Sequence, residues 1–388
     1  MSVSLGVLLG PMAAVTAPAF AADTIYWGNY SGTTISHAKL DNTGGGGDLT
    51  MAGATVSSPY GLAIDVAAGK IYWANFSGNA ISVANLNGTH AHDLNITGVT
   101  VSEPAGIAID PAAGKIYWGN DGNQTIDFAN LNGSGAKKLH TAGATVNNPD
   151  GVTIDPAKNK IYWANGSANH HPVSFANLDN TGHAGNLNVH GTTSSVPIGV
   201  AIDPRGGKIF WANQGAGINF AKLNNTGGGG SLNTTGATVI SPQALAIDPR
   251  RDQVYWANSP GQISFANLDD SGGGGDLNTS GATKNLPTFP VLLEAPRATA
   301  RPKISGGSKV GSKLSCSKGK WAPDLLGSFL YQRPASFSYA WSRNGKPIAG
   351  ATNNSITAKR TGTYTCTVTA TNQAGHSNKT SASHKVTT

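Results

Sequence analysis

Residues 61–75 read GLAIDVAAGKIYWAN, and the chain writes the stretch again at 106–120 (GIAIDPAAGKIYWGN), 151–165 (GVTIDPAKNKIYWAN) and 199–213 (GVAIDPRGGKIFWAN). With two further copies, the tryptophans fall at Trp27, Trp73, Trp118, Trp163, Trp211 and Trp256, spaced 46, 45, 45, 48 and 45 residues apart. A period in the forties without helical patterning marks a propeller or a solenoid. Each unit reads as four short strands: GLAID, IYWAN, a third near AISVANL, and a fourth after a Gly-rich turn. Residues such as GATVSSP then cross to the next unit. Both faces of the first two strands are mostly apolar, as sheets stacked between neighbouring sheets require.

The two ends of the array decide between a ring and an open stack. The first unit starts at its second strand, TIYWGN, with no GLAID before it. The last unit is followed by PTFPVLLE at 287–294, a degenerate first strand with nothing after it. The piece missing at one end is present at the other, so 287–294 is expected to complete the blade begun at 24–50. An open solenoid would instead need polar caps. The expected class is all-β, a six-bladed propeller over 23–294.

These repeats resemble the low-density-lipoprotein-receptor class B repeat, the YWTD six-bladed propeller. The resemblance rests on IYW, on AIDP before it and on ANLNG or ANLDN after it. Here YWTD becomes YWAN or YWGN, which keeps a hydrogen-bonding side chain and loses the charge. The resemblance therefore implies the fold and not the family's ligands. The Gly-rich form is similar to bacterial secreted members.

The recurring Asp65, Asp110, Asp155, Asp203 and Asp248 each close a first strand, and four of the five precede Pro. Such an Asp accepts backbone N–H bonds in a tight turn, so the series is expected to be scaffold. The GGGG runs at 44–47, 227–230 and 272–275 have neither a following helix nor a Lys-Ser/Thr pair, and read as hairpin turns rather than phosphate loops.

Function is expected where the units disagree. Around the crossing proline the chain places Tyr60, Glu103, Asp150, Ile198, Gln243 and Thr288; after YWAN it places Tyr30, Phe76, Asp121, His170, His171 and Gln214. Both loops should share one rim, giving candidate ligand-binding residues Tyr30, Tyr60, Phe76, Glu103, Asp121, Asp150, His170, Gln214 and Gln243. No G-x-S-x-G or metal-spacing motif occurs. The leading expectation is a non-catalytic binding or adhesion protein with a protein or glycan ligand and no cofactor. The alternatives are a calcium-dependent propeller enzyme of lactonase or lyase type, with Glu103, Asp121 and Asp150 as the ion's acids, and a structural surface spacer.

Charge divides the chain. Residues 1–296 hold 13 Lys/Arg and 19 Asp/Glu; residues 297–388 hold 14 Lys/Arg and one acid, Asp324. The Pro-punctuated stretch 295–302 reads as a linker and 303–388 as a second domain. Cys316, Trp341, Cys366 and a Tyr364 two residues before the second Cys resemble an immunoglobulin-like sandwich with a tyrosine corner, which implies a Cys316–Cys366 disulfide. Its basic charge is expected to suit an anionic cell-surface polymer, with lysines 309, 313, 318 and 320 near Cys316 as the cluster. Sequence-specific nucleic-acid binding is not expected. Residues 1–22 are apolar and end in AFAA, a signal-peptide pattern, so the mature chain is expected to be secreted and free of membrane spans.

Overall fold

A computed structural model describes residues 23–167, 171–192 and 195–388. The expected signal peptide and His170 lie outside the described residues. Five four-stranded antiparallel sheets and a sixth that gains a fifth strand from the second domain are arranged as blades, each running from an inner to an outer strand. The inner strands are Pro59–Asp65, Pro104–Asp110, Pro149–Asp155, Val196–Asp203, Pro242–Asp248 and Pro287–Leu293. Pro287–Leu293 pairs with Thr24–Asn29, Ile25 opposite Leu292, so the ring closes with the C-terminal strand innermost in the first blade.

Near-identical chemistry holds every blade. Each of the six tryptophans is fully buried between sheets. In the second blade Trp73 Nε1 donates to Asn75 Oδ1 (3.1 Å) and to the Thr55 carbonyl (3.0 Å). Asn75 Nδ2 donates to Ser82 Oγ (2.8 Å), and Ser82 Oγ to Asp93 (2.5 Å). Asp93 then accepts from the amide and hydroxyl of Thr55 on the crossing that enters the blade. Asn at the end of YWAN is thus a buried crosslinker that joins three strands and a crossing. The inner-strand aspartates are scaffold as expected: Asp110 accepts from the amides of Ala112 and Ala113 (3.0 and 3.1 Å), and Asp203 from those of Arg205 and Gly206 (both 3.0 Å).

The second domain is a sandwich closed by a Cys316–Cys366 disulfide, with Trp341 buried beside it. Tyr364 donates its hydroxyl to the Arg360 carbonyl (2.7 Å), forming the tyrosine corner. The expected linker is not free chain: Ala298–Ala300 pairs with Lys320–Trp321.

The sandwich also reaches into the ring, which the sequence reading did not foresee. A 3-10 turn, Leu326–Ser328, is followed by the short strand Leu330–Tyr331, which pairs in parallel with Pro287–Leu293. The amides of Leu292 and Glu294 donate to the carbonyls of Phe329 and Tyr331 (both 2.9 Å). Thr153 Oγ1 donates to the Gly327 carbonyl (2.8 Å), and Ser328 Oγ to the Ile202 carbonyl (2.6 Å). Phe329, Leu330 and Tyr331 are buried in the propeller's largest apolar cluster. The segment therefore plugs the end of the channel where the inner strands finish. Beside it, buried Glu294 and Asp248 face Arg250 and Arg251, and Arg251 also reaches Asp23. Burial, then Asp248, raises the Glu294 pKa to about 8.

Two stability predictions follow from this packing. Trp118→Ala should lower stability by about 3–5 kcal/mol, and Leu330→Ala by about 2–5 kcal/mol even though it lies in the other domain. Urea denaturation followed by tryptophan fluorescence checks both. A Leu330→Ala variant whose propeller transition is unmoved would show that the plug adds nothing to the ring.

Candidate functional site

The rim at the start of the inner strands is built by convergence. Glycines stand just inside it at 61, 106, 151 and 199, where a Cβ on Gly106 would lie 2.5 Å from the Asp150 carbonyl and 2.7 Å from the Gly151 Cα. Glycine therefore lets adjacent inner strands close on one another, and the side chain preceding it is pushed up to the channel mouth. The six residues after the crossing position are Tyr60, Ala105, Asp150, Ile198, Gln243 and Thr288. Five of these were singled out around the crossing proline; in the third blade the residue singled out, Glu103, precedes the proline, and Ala105 follows it. Glu103 sits before its proline, with φ at 46°, and is exposed on the rim.

Four rings form the apolar half of the mouth. Tyr60 lies 5.4 Å from Tyr30, 5.6 Å from Phe76 and 5.0 Å from Phe289, centroid to centroid, and Tyr30 lies 5.5 Å from Phe76. Tyr60 and Phe289 are buried, and Tyr30 and Phe76 are half-buried at the rim. Ala105, Ile198 and Ala244 complete the cluster. Sequence reasoning missed Phe289, because 287–294 reads as a degenerate strand. Its signal was position: Phe289 stands where the other inner strands carry Gly or Ala.

Acids form the other half. Tyr60 donates its hydroxyl to Asp150 Oδ1 (3.3 Å), joining the halves. Asp150 is buried; burial, then the charge of Asp121, pushes its pKa well above the usual carboxyl range. Burial and then Glu103 also raise Asp121. Asp121 Oδ1 is buried without a hydrogen-bond partner. Gly166 leaves room for the Asp150 carboxyl, since a Cβ there would lie 2.4 Å from Asp150 Oδ2. The Tyr30 pKa is raised by burial and then by Glu103, Asp150 and Asp121, so one field spans the mouth.

Among the described residues no three His, Cys, Asp or Glu side chains are placed to hold a metal ion. The three rim acids expected as calcium ligands are therefore neighbours in charge and not one coordination shell. Gln243 is buried, with Nε2 on the Ser241 carbonyl (2.8 Å). Gln214 is half-buried at the next blade. His171 is exposed, and its carbonyl accepts from Asn165 Nδ2 (2.9 Å), so it serves the scaffold through its backbone.

Comparison with known proteins agrees with this architecture. Residues 69–111 match the low-density lipoprotein receptor repeat class B, and residues 295–388 match the immunoglobulin domain. A chain in the crystal structure of a nidogen/laminin complex is 17% identical with a TM-score of 0.56, covering 70% of this chain and 98% of that one. A Xanthomonas campestris gluconolactonase is 14% identical with a TM-score of 0.47, covering 66% and 83%. Kuenenia stuttgartiensis hydrazine synthase is 16% identical with a TM-score of 0.47, covering 68% and 81%. No curated protein matches. The fold is a β-propeller, one repeat of which matches the class B model, followed by an immunoglobulin-like sandwich.

The Asp150 site has a defined pH signature. A carboxyl whose folded pKa is raised is held protonated by folding. Its contribution is full below the ordinary carboxyl value, about 4, and is lost as pH rises through that value toward the folded one. Asp150→Asn should therefore raise the melting temperature at about pH 8 and have much less effect at about pH 4. Equal shifts at both pH values, read by scanning calorimetry, would remove burial of an ionisable group as the cause.

Proposed function

We propose that the protein is a secreted, non-catalytic binding protein whose ligand docks on the propeller rim and presents a basic side chain flanked by apolar surface. The observation that carries this reading is the two-part mouth: four packed rings joined through Tyr60 to a buried carboxyl, with Asp121 and Glu103 beside it. Aromatic faces and carboxylates together favour a cation over an anion. Half-buried Tyr30 and Phe76 supply area that a ligand can cover at low entropic cost. The chain of like fold found in a nidogen/laminin complex is in keeping with a protein ligand. Export is supported by the apolar start ending in AFAA and by the disulfide, which forms in oxidising compartments.

The test is binding of the full chain to peptide and glycan arrays, repeated with Tyr30→Ala/Phe76→Ala and with Glu103→Gln. Lys- or Arg-bearing peptides should be retained. The double variant should lose at least about tenfold in affinity, and Glu103→Gln should mainly slow association and flatten its salt dependence. Retention of neutral glycans only, or binding unchanged in the double variant, would contradict the proposal.

A further inference from the structure

The immunoglobulin domain carries a groove of about 840 Å³, far from the propeller mouth in sequence and lined by different chemistry. Arg343, Lys346, Lys359 and Arg360 surround it, and no acid lines it. Lys346, Lys359 and Arg360 are exposed, and the floor is apolar, with Ile348 and Ile356 half-buried. Among the described residues the ion pairs all involve Arg250 or Arg251, so none of these four cations is paired within the chain. The domain's single acidic side chain cannot reach them. Asp324 is fixed at the plug, accepting from the amides of Gln332 and Arg333 (2.7 and 2.8 Å). Four like charges around one concave surface repel one another unless an anion occupies it.

We propose that this groove is a binding site for an acidic polysaccharide, a chain of carboxylate-bearing sugars. The charges stand at the edges and the aliphatic surface lies between them. A sugar ring can lay its C–H face on Ile348 and Ile356 while its carboxylate meets an Arg or Lys. Two features oppose other polyanions. A single-stranded nucleic acid needs exposed rings on which bases stack; the groove's one aromatic, Tyr364, is buried with its hydroxyl committed to the Arg360 carbonyl. An acidic peptide adding as a strand needs a free edge; the edge strands beside the groove, Lys346–Pro347 and Ser355–Thr357, are only two and three residues long, and Pro347 has no N–H to offer. None of the lysines 309, 313, 318 and 320 that sequence alone picked out lines the groove, although Lys313 stands opposite its Thr357 on the neighbouring strand, and the site does not depend on the rim reading.

The experiment measures binding of the full chain to polygalacturonate by calorimetry. Dextran is the neutral control, and polyphosphate and oligo-dT are competing polyanions. Lys346→Gln/Lys359→Gln changes two exposed groove residues. Lys303→Gln/Lys320→Gln removes the same charge elsewhere on the domain. Polygalacturonate should bind at low salt and dextran should not. The groove variant should lose about tenfold or more in affinity, while the control variant stays within about twofold. Equal loss in both variants would reduce the effect to net charge and overturn the site. Absence of polygalacturonate binding, or tighter groove-dependent binding of polyphosphate or oligo-dT, would overturn the ligand class. Circular dichroism of each variant confirms that the sandwich is intact.

Discussion

Strand Pro287–Leu293 carries two obligations at once. On one side it pairs with Thr24–Asn29 and closes the ring. On the other it pairs in parallel with Leu330–Tyr331 from the second domain. In the other five blades the inner strand is the last of its sheet, with its edge facing the channel. In the first blade that edge is occupied, so the most vulnerable strand of the ring becomes an interior one. An inner strand that arrives last in the chain would otherwise present unpaired amides and carbonyls to solvent or to another molecule. The plug meets that need and at the same time fixes the sandwich to the ring through Asn372, whose Nδ2 donates to the Glu294 carbonyl (2.7 Å).

Within the blades, the repeated network tolerates exchange of its members while keeping its connectivity. Ser36 and Asp48, Ser82 and Asp93, and Ser264 and Asp276 occupy the third and outer strands of three blades. The fourth blade uses Ser174 with Asn186, and the fifth Asn219 with Ser231. The third blade carries the acid one strand further in: Asp127 accepts from Asn120 Nδ2 (2.9 Å) and stands opposite Lys138. Burial raises the Asp127 pKa to about 6, which sets a carboxyl near neutrality within this blade's crosslink. The crosslink needs an acceptor between second and outer strand, and several residue pairs supply one.

How much of this was legible in the sequence follows from where the information lies. The repeat is written in identities, so IYW and AID announced both the blades and their number, and the missing first strand announced the closure. The sandwich was legible because Cys316, Trp341, Tyr364 and Cys366 have a spacing few other folds use. The plug was not legible: Leu325–Tyr331 is a short apolar run inside the sandwich, and nothing local says that it leaves its own domain. The rim was half legible. Residues that differ between repeats can be aligned, but spacing does not say that Glu103, before its proline, stands on the open rim while Ala105 takes the place at the mouth, and Phe289 was hidden in a strand without the motif. Whether three acids share one ion depends on side-chain directions that no spacing records.

Joined through the closing strand, ring and sandwich should unfold as one cooperative structure. Native-state hydrogen exchange of the full chain tests it most directly, read at the Leu292 and Glu294 amides that donate to the plug. Exchange there should occur only with global unfolding, at a free energy equal to that of amides in the strands bearing the six buried tryptophans. Rapid exchange at Leu292 and Glu294, with strand Gly362–Asn372 of the sandwich still protected, would show two domains merely resting together and would contradict the account.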